Sequence, residues 1–196
     1  MARPTPAQAL ALLKEGNARF VAGTPRSEPF GSRVAELANG QSPFAIVLGC
    51  SDSRVPIETI FDQVPGNVFV VRVAGNFLND DNLGSIELAV DVLRAQLIVV
   101  LGHGNCGAVT AALGYVRDGI AMHGHIQGIV SAIAPAVRAA SDAPGDWLDN
   151  AIAENVRRNV RAMTERSTII AAPVEAGDVQ VIGGIYDVGT GRVAFS

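Results

Sequence analysis

Short, unbroken apolar runs alternate along the chain with stretches whose apolar residues recur every three or four positions. Phe44 to Cys50, Val68 to Ala74 and Leu97 to Gly102 are rich in β-branched residues, and glycine closes each run or follows it at once. A strand with one wet face would alternate apolar and polar residues. Continuous runs of this length instead predict strands buried on both faces of a parallel sheet. Val179 to Tyr186 predicts a fourth strand, and the turn-rich segment Asp187 to Gly191 links it to a short fifth, Arg192 to Phe195.

Helical patterns fill the gaps. Thr5-Pro6-Ala7-Gln8 predicts a helix start, with Thr5 as cap, Gln8 completing a capping box and Pro6 at the first helical position. Leu10, Leu13 and Phe20 follow. Leu83, Ile86, Val90 and Leu93 share one helical face. Ile126, Ile129, Val130, Ile133 and Val137 share a second, and Leu148, Ile152, Val156, Val160 and Met163 a third. Stripes of this kind predict helices packed on a core. Strand–helix alternation predicts an α/β fold, a mostly parallel central β-sheet flanked by helices. Residues 1–196 are expected to form a single domain, with an amino-terminal helical arm over 1–40 and an α/β core over 41–196. In open sheets of this type the functional site lies beyond the carboxyl ends of the strands.

Composition narrows the function classes. The 196 residues carry a net charge of −4, with 48% apolar and 17% charged residues. That balance provides no electrostatic footprint for nucleic acid and no basic run for an anionic membrane. Arg157, Arg158 and Arg161 cluster, but their helical spacing predicts a solvated face. No segment approaches the ~18–20 apolar residues that span a bilayer, and the chain opens without an apolar signal core, so a cytoplasmic location is expected. The two cysteines, Cys50 and Cys106, stand far apart in sequence. In a reducing compartment that pattern means buried thiols or a metal site more often than a disulfide.

Both cysteines fall at predicted strand ends. Cys50 closes the first apolar run, and His103 and Cys106 follow the third in Gly102-His103-Gly104-Asn105-Cys106-Gly107. Two thiolates and an imidazole suit Zn²⁺ in tetrahedral geometry, and three protein ligands leave the fourth position open, as in catalytic zinc sites. Read on these residues alone, the same set is equally compatible with two buried thiols and a hydrogen-bonded loop histidine. Cys50-Ser51-Asp52-Ser53-Arg54 adds a carboxylate and a guanidinium two residues apart. Asp52 could orient a metal-bound water while Arg54 grips it with two parallel bonds, or the pair could be a local surface salt bridge.

The segments Cys50-Ser51-Asp52-Ser53-Arg54 and His103-Gly104-Asn105-Cys106 resemble the two signatures of the β-class carbonic anhydrases, Cys-x-Asp-x-Arg and His-x-x-Cys. The resemblance extends to Gly16 through Phe20, Val70 through Asn76, Ser85 through Val90 and Tyr186 through Gly191. It implies the fold of that family and zinc-dependent interconversion of carbon dioxide and bicarbonate by attack of zinc-bound hydroxide. Cys50, His103 and Cys106 would be the metal ligands, and Asp52 and Arg54 the catalytic dyad. Asp52 would become a fourth ligand only in a closed form. Gln41, Phe69 and Gly104 would bind substrate, and the partners would be carbon dioxide, bicarbonate, water and further copies of the chain in a homodimer or tetramer.

Two positions depart from patterns within that family. Leu88 stands where some members carry a tyrosine. Val47 replaces the tryptophan of an inhibitory bicarbonate site of which Arg72 is retained, so regulation through that site is not expected. Because two thiolates cancel the formal charge of Zn²⁺, such a centre would acidify its water less than three neutral histidines would, and activity is expected to rise toward alkaline pH. His123 and His125, the remaining histidines, are expected at a helix start or on the surface, with a proton-shuttle role as the alternative. A hydrolase for carbon disulfide or carbonyl sulfide, a non-catalytic zinc or bicarbonate sensor, and a thiol redox protein are the competing functions.

Overall fold

The computed structural model describes residues 3–26, 31 and 34–196. Residues 1–2, 27–30 and 32–33 of the expected amino-terminal arm lie outside the described residues. The runs identified above form β1 (Ala45–Gly49), β2 (Val68–Arg72), β3 (Leu97–His103), β4 (Gln180–Tyr186) and β5 (Val193–Phe195). They build a five-stranded sheet in the order β2-β1-β3-β4-β5. β1 pairs in parallel with β2 and β3, β3 pairs in parallel with β4, and β5 returns antiparallel to β4.

The strands are continuous apolar runs because both sheet faces are covered. On one face Val47, Leu97, Val99 and Leu101 pack with Ala9 and Leu13 of α1 (Pro6–Ala22) and with Ile57 and Ile60 of α3 (Ile57–Ile60), which follows the short α2 (Val34–Leu37). On the other, Ile46, Leu48, Ile98 and Val100 pack with Leu83, Ile86 and Val90 of α4 (Asp80–Asp91). The same cluster takes in Val156 and Met163 of α7 (Trp147–Arg166) and Ile170 of α8 (Thr168–Glu175). Each fully buried aliphatic side chain of this kind contributes about 1.5–3 kcal/mol. α1 starts as its sequence predicts: Thr5 Oγ1 accepts from the Gln8 N–H, and Gln8 Oε1 accepts from the Thr5 N–H.

A third cluster lies at the carboxyl end of the sheet. Here Cys50 and Cys106 pack among Val109 and Ala112 of α5 (Gly107–Asp118), Val130, Ile133 and Val137 of α6 (Ile126–Ala139), and Ala151 and Ile152 of α7. The structure departs from the stripe expected on α6 at one residue. Ile126 is 54% exposed, because the helix begins there, on the N-cap residue His125, before it reaches the neighbours that bury its later turns. Arg157, Arg158 and Arg161 are exposed as expected, with Arg157 and Arg161 both paired to Glu154.

Candidate metal centre

Parallel pairing places the ends of β1 and β3 side by side, with Gly49 opposite Leu101. The strand β3 runs one residue further than its apolar run, so His103 is its last residue, paired with Tyr186 of β4. Cys50 follows β1 directly, and Cys106 is the N-cap residue of α5. The two sulfurs lie 4.0 Å apart. A disulfide would hold them at ~2.05 Å. Two Zn–S bonds of ~2.3 Å at a tetrahedral angle would hold them about 3.8 Å apart. The sulfurs and a ring nitrogen of His103 all lie within 4.8 Å of one another. Cys50, His103 and Cys106 are 4%, 0% and 1% exposed.

The histidine is prepared for a metal. Its Nδ1 sits 3.0 Å from the Gly104 carbonyl oxygen, which can only accept, so Nδ1 carries the proton. That fixes Nε2 as the atom with the free lone pair. Nε2 is buried and has no hydrogen-bond partner. A buried polar atom is ordinarily satisfied, and one left bare costs about 1–3 kcal/mol. An electron-pair acceptor of the size and softness of Zn²⁺, facing two sulfurs and this nitrogen, meets that need, so the donor set fits the metal.

The thiols are not equivalent. The hydrogen bond between the two sulfurs pulls the Cys50 thiol far down, against the burial that pushes it up, and backbone N–H groups of Gly75 (3.2 Å) and Asp52 (3.5 Å) aimed at its sulfur add to the lowering. Cys106 moves the opposite way, first through that same hydrogen bond and then through burial.

Asp52 and Arg54 form the bidentate pair their spacing allows. Arg54 Nε donates to Asp52 Oδ1 at 3.0 Å, a terminal guanidinium nitrogen to Oδ2 at 2.7 Å, and the Arg54 backbone N–H to Oδ1 at 2.9 Å. These side-chain bonds hold the Asp52 carboxyl well below the usual carboxylate range, against the burial that pushes it up. The same Arg54 nitrogen donates to the Asn105 carbonyl at 3.2 Å, tying the dyad to the loop between His103 and Cys106. Asn105 turns that carbonyl inward by adopting the left-handed region, φ 54. In this arrangement Asp52 is outside the group of three ligand atoms.

The resemblance marks Arg72 only as a retained residue of the inhibitory site. It has a different place here. Its Nε donates to the Cys50 carbonyl at 2.9 Å and a terminal nitrogen to the Asp52 carbonyl at 2.7 Å, so it braces the ligand loop from the end of β2. Val47 is wholly buried in β1. Gly104 borders the centre; a Cβ there would meet nothing within 4 Å, so space is open beside His103.

Gln41 and Phe69 are not brought to the centre within one chain. Gln41 is exposed four residues before β1, whereas Cys50 follows its last residue; at ~3.3 Å per residue the strand alone separates them by about 16 Å. Phe69 pairs with Ile46 near the start of β2 and packs on the face occupied by α4. Leu88 is 51% exposed on α4. His123 and His125 are exposed in the approach to α6.

Residues 45–193, from the first residue of β1 to the first of β5, match the sequence model of a family described as carbonic anhydrase, and solved structures of this fold are β-carbonic anhydrases: the chain belongs to that family. A carbonic anhydrase of Mycolicibacterium smegmatis is 43% identical over 194 residues, covering 98% of this chain and 94% of the relative. The β-carbonic anhydrase CafA of Aspergillus fumigatus superposes with a TM-score of 0.74 at 29% identity, covering 97% and 89% of the two chains. A tetrameric β-carbonic anhydrase of Sordaria macrospora gives 0.70 at 29% identity, covering 82% and 84%.

Proposed function

We propose that the protein catalyses the reversible hydration of carbon dioxide to bicarbonate and a proton at a zinc ion held by Cys50, His103 and Cys106. The observation that carries this reading is the bare, buried Nε2 of His103 facing two sulfurs 4.0 Å apart, with an arginine-locked carboxylate next to them. Bound there, Zn²⁺ supplies a water acidified toward neutral pH, the nucleophile that carbon dioxide requires.

The chain's own residues supply orientation. Asp52, kept ionised by Arg54, can only accept a hydrogen bond. It would therefore accept the O–H of the nucleophile and hold it in one orientation. Arg54 holds Asp52 against rotation through two parallel bonds and anchors both to Asn105. Gly104 leaves room for a small triatomic substrate.

Gln41 and Phe69 bind substrate only if they reach a centre on a second copy of the chain. Support comes from β2, the sheet's edge strand, whose Phe69, Val70 and Val71 are only half-buried, and from Leu88 of α4 and Val92, its C-cap residue, 51% and 64% exposed four positions apart. An uncovered edge with apolar flanks is a surface that proteins ordinarily cover. We therefore read the protein as a homodimer or a tetramer built from such dimers.

Stopped-flow hydration with a pH indicator, run with zinc analysis on the same sample and with carbonyl sulfide and carbon disulfide as alternative substrates, tests the reading. About one zinc per chain with carbon dioxide hydration is expected. Fully loaded protein that hydrates no carbon dioxide overturns it.

A further inference from the structure

Helix α7 carries Asn155 and Asn159 one turn apart, and the fold buries them to 2% and 9% exposure. Both amides serve one loop, residues 73–79 between β2 and α4. Asn155 Nδ2 donates to the Gly75 carbonyl at 2.9 Å, and Asn159 Oδ1 accepts from the Leu78 N–H at 2.7 Å. The two are coupled, since Asn159 Nδ2 donates to the Asn155 backbone carbonyl at 2.7 Å and to its Oδ1 at 3.2 Å. The loop they hold delivers the Gly75 N–H to Cys50 Sγ at 3.2 Å.

Position 75 needs such a hold. Its φ of +83 is open to glycine, and a Cβ there would lie 2.4 Å from Ile133 Cδ1 and 3.0 Å from Ala108 Cβ. Glycine is therefore obligatory, and it is also the residue whose backbone turns most freely. Pairing of the Val73 N–H with the Gly49 carbonyl, 3.1 Å, fixes the chain just before it. Asn155 fixes the peptide just after it.

We propose that Asn155 is a positioning residue for the metal centre: by gripping the Gly75 carbonyl it aims the Gly75 N–H at the sulfur of Cys50. The inference rests on the zinc reading above. An N–H donor on a metal-bound thiolate lowers the energy of the lone pairs the sulfur shares with the metal and fixes the direction of the bond, so it tunes the centre without touching the reacting atoms.

The test replaces zinc with Co²⁺ and reads the sulfur-to-cobalt charge-transfer band in the near ultraviolet for wild type and Asn155→Leu. Leu13→Ala, which opens a cavity on the opposite face of the sheet, is the control for a mere loss of stability. The band moves to longer wavelength in Asn155→Leu and stays in place in Leu13→Ala. Chelator competition shows affinity for Co²⁺ lower by about 10- to 100-fold in Asn155→Leu. If Asn155→Leu does not fold, Asn155→Ser, too short to reach the Gly75 carbonyl, is read in the same way. A wild-type band that Asn155 substitutions leave unmoved overturns the inference alone. A wild type with no thiolate band removes the zinc reading and the inference with it.

Discussion

The two ends of the central strands differ in how complete they are. At the carboxyl ends of β1 and β3 one chain assembles three metal-competent atoms within 4.8 Å, a bidentate Asp52–Arg54 pair and the Arg72 brace beneath them. At the amino ends, Gln41 is exposed and Phe69 lies half-buried on an edge strand, and neither meets the other groups expected to handle substrate. The difference teaches that one chain gathers the metal-competent atoms and their bracing groups at one end of the sheet and leaves Gln41 and Phe69 apart from them at the other. β1, β2 and β3 run parallel, so Gln41 before β1 and Phe69 near the start of β2 lie at the end of the sheet opposite Cys50, and on the proposed reading a second copy of the chain brings them to a centre.

The largest expected effect breaks the finished end. Cys106→Ser removes one of two sulfurs, and the bound metal falls from about one per chain to under about a tenth, with hydration lost in step; metal analysis after dialysis reads it. Asp52→Asn should keep its zinc and lose about 10- to 100-fold in hydration rate by stopped flow, because an amide no longer holds the nucleophile as a fixed acceptor. Loss of zinc in that variant would make Asp52 a ligand instead of an orienting group.

The unfinished end gives a smaller effect. Gln41→Ala is expected to lower the rate about fivefold, the worth of one neutral hydrogen bond of ~1 kcal/mol. Unfolding and refolding Gln41→Ala together with Cys106→Ser sharpens the comparison. Mixed dimers contain one intact zinc centre facing one intact Gln41, so the mixture exceeds the mean of its parents. A mixture equal to that mean returns Gln41 to its own chain, against the division drawn here.

The smallest effect is on stability. The native carboxyl of Asp52 titrates below its unfolded value of ~3.9, so its contribution is fully present above that pH and is lost as the pH falls toward the native value. Urea unfolding should show a gap between wild type and Asp52→Asn that is constant above about pH 5 and closes below about pH 4. A gap that closes between pH 6 and 8 would mean that another group is responsible.

Legibility in the sequence followed rarity. Cys50, His103 and Cys106 could be singled out because they stand at the ends of apolar runs and parallel strands bring their carboxyl ends together, but on the residues alone they fit buried thiols and a loop histidine equally well, and the ligand reading comes with the family resemblance. The strands could be read because burial on both faces removes polar residues altogether. Asn155 and Asn159 could not, since a polar residue within a helical stripe looks like its wet edge until the loop it binds is known. The bracing role of Arg72 could not be read either, since its partners are backbone carbonyls, which carry no sequence signal, and only the resemblance singled it out. Helix α8 went unmarked because Pro173 interrupts a short apolar stretch with no clear period. Ile126 misled because a stripe's period does not reveal where the neighbouring helices end.

The most direct measurement is X-ray absorption at the zinc edge on the purified protein. Two sulfurs at about 2.3 Å, one imidazole nitrogen at about 2.0–2.1 Å and one further light atom are expected, with one sulfur missing in any metal retained by Cys106→Ser. A wild-type shell with no sulfur, or with only one, would contradict the account.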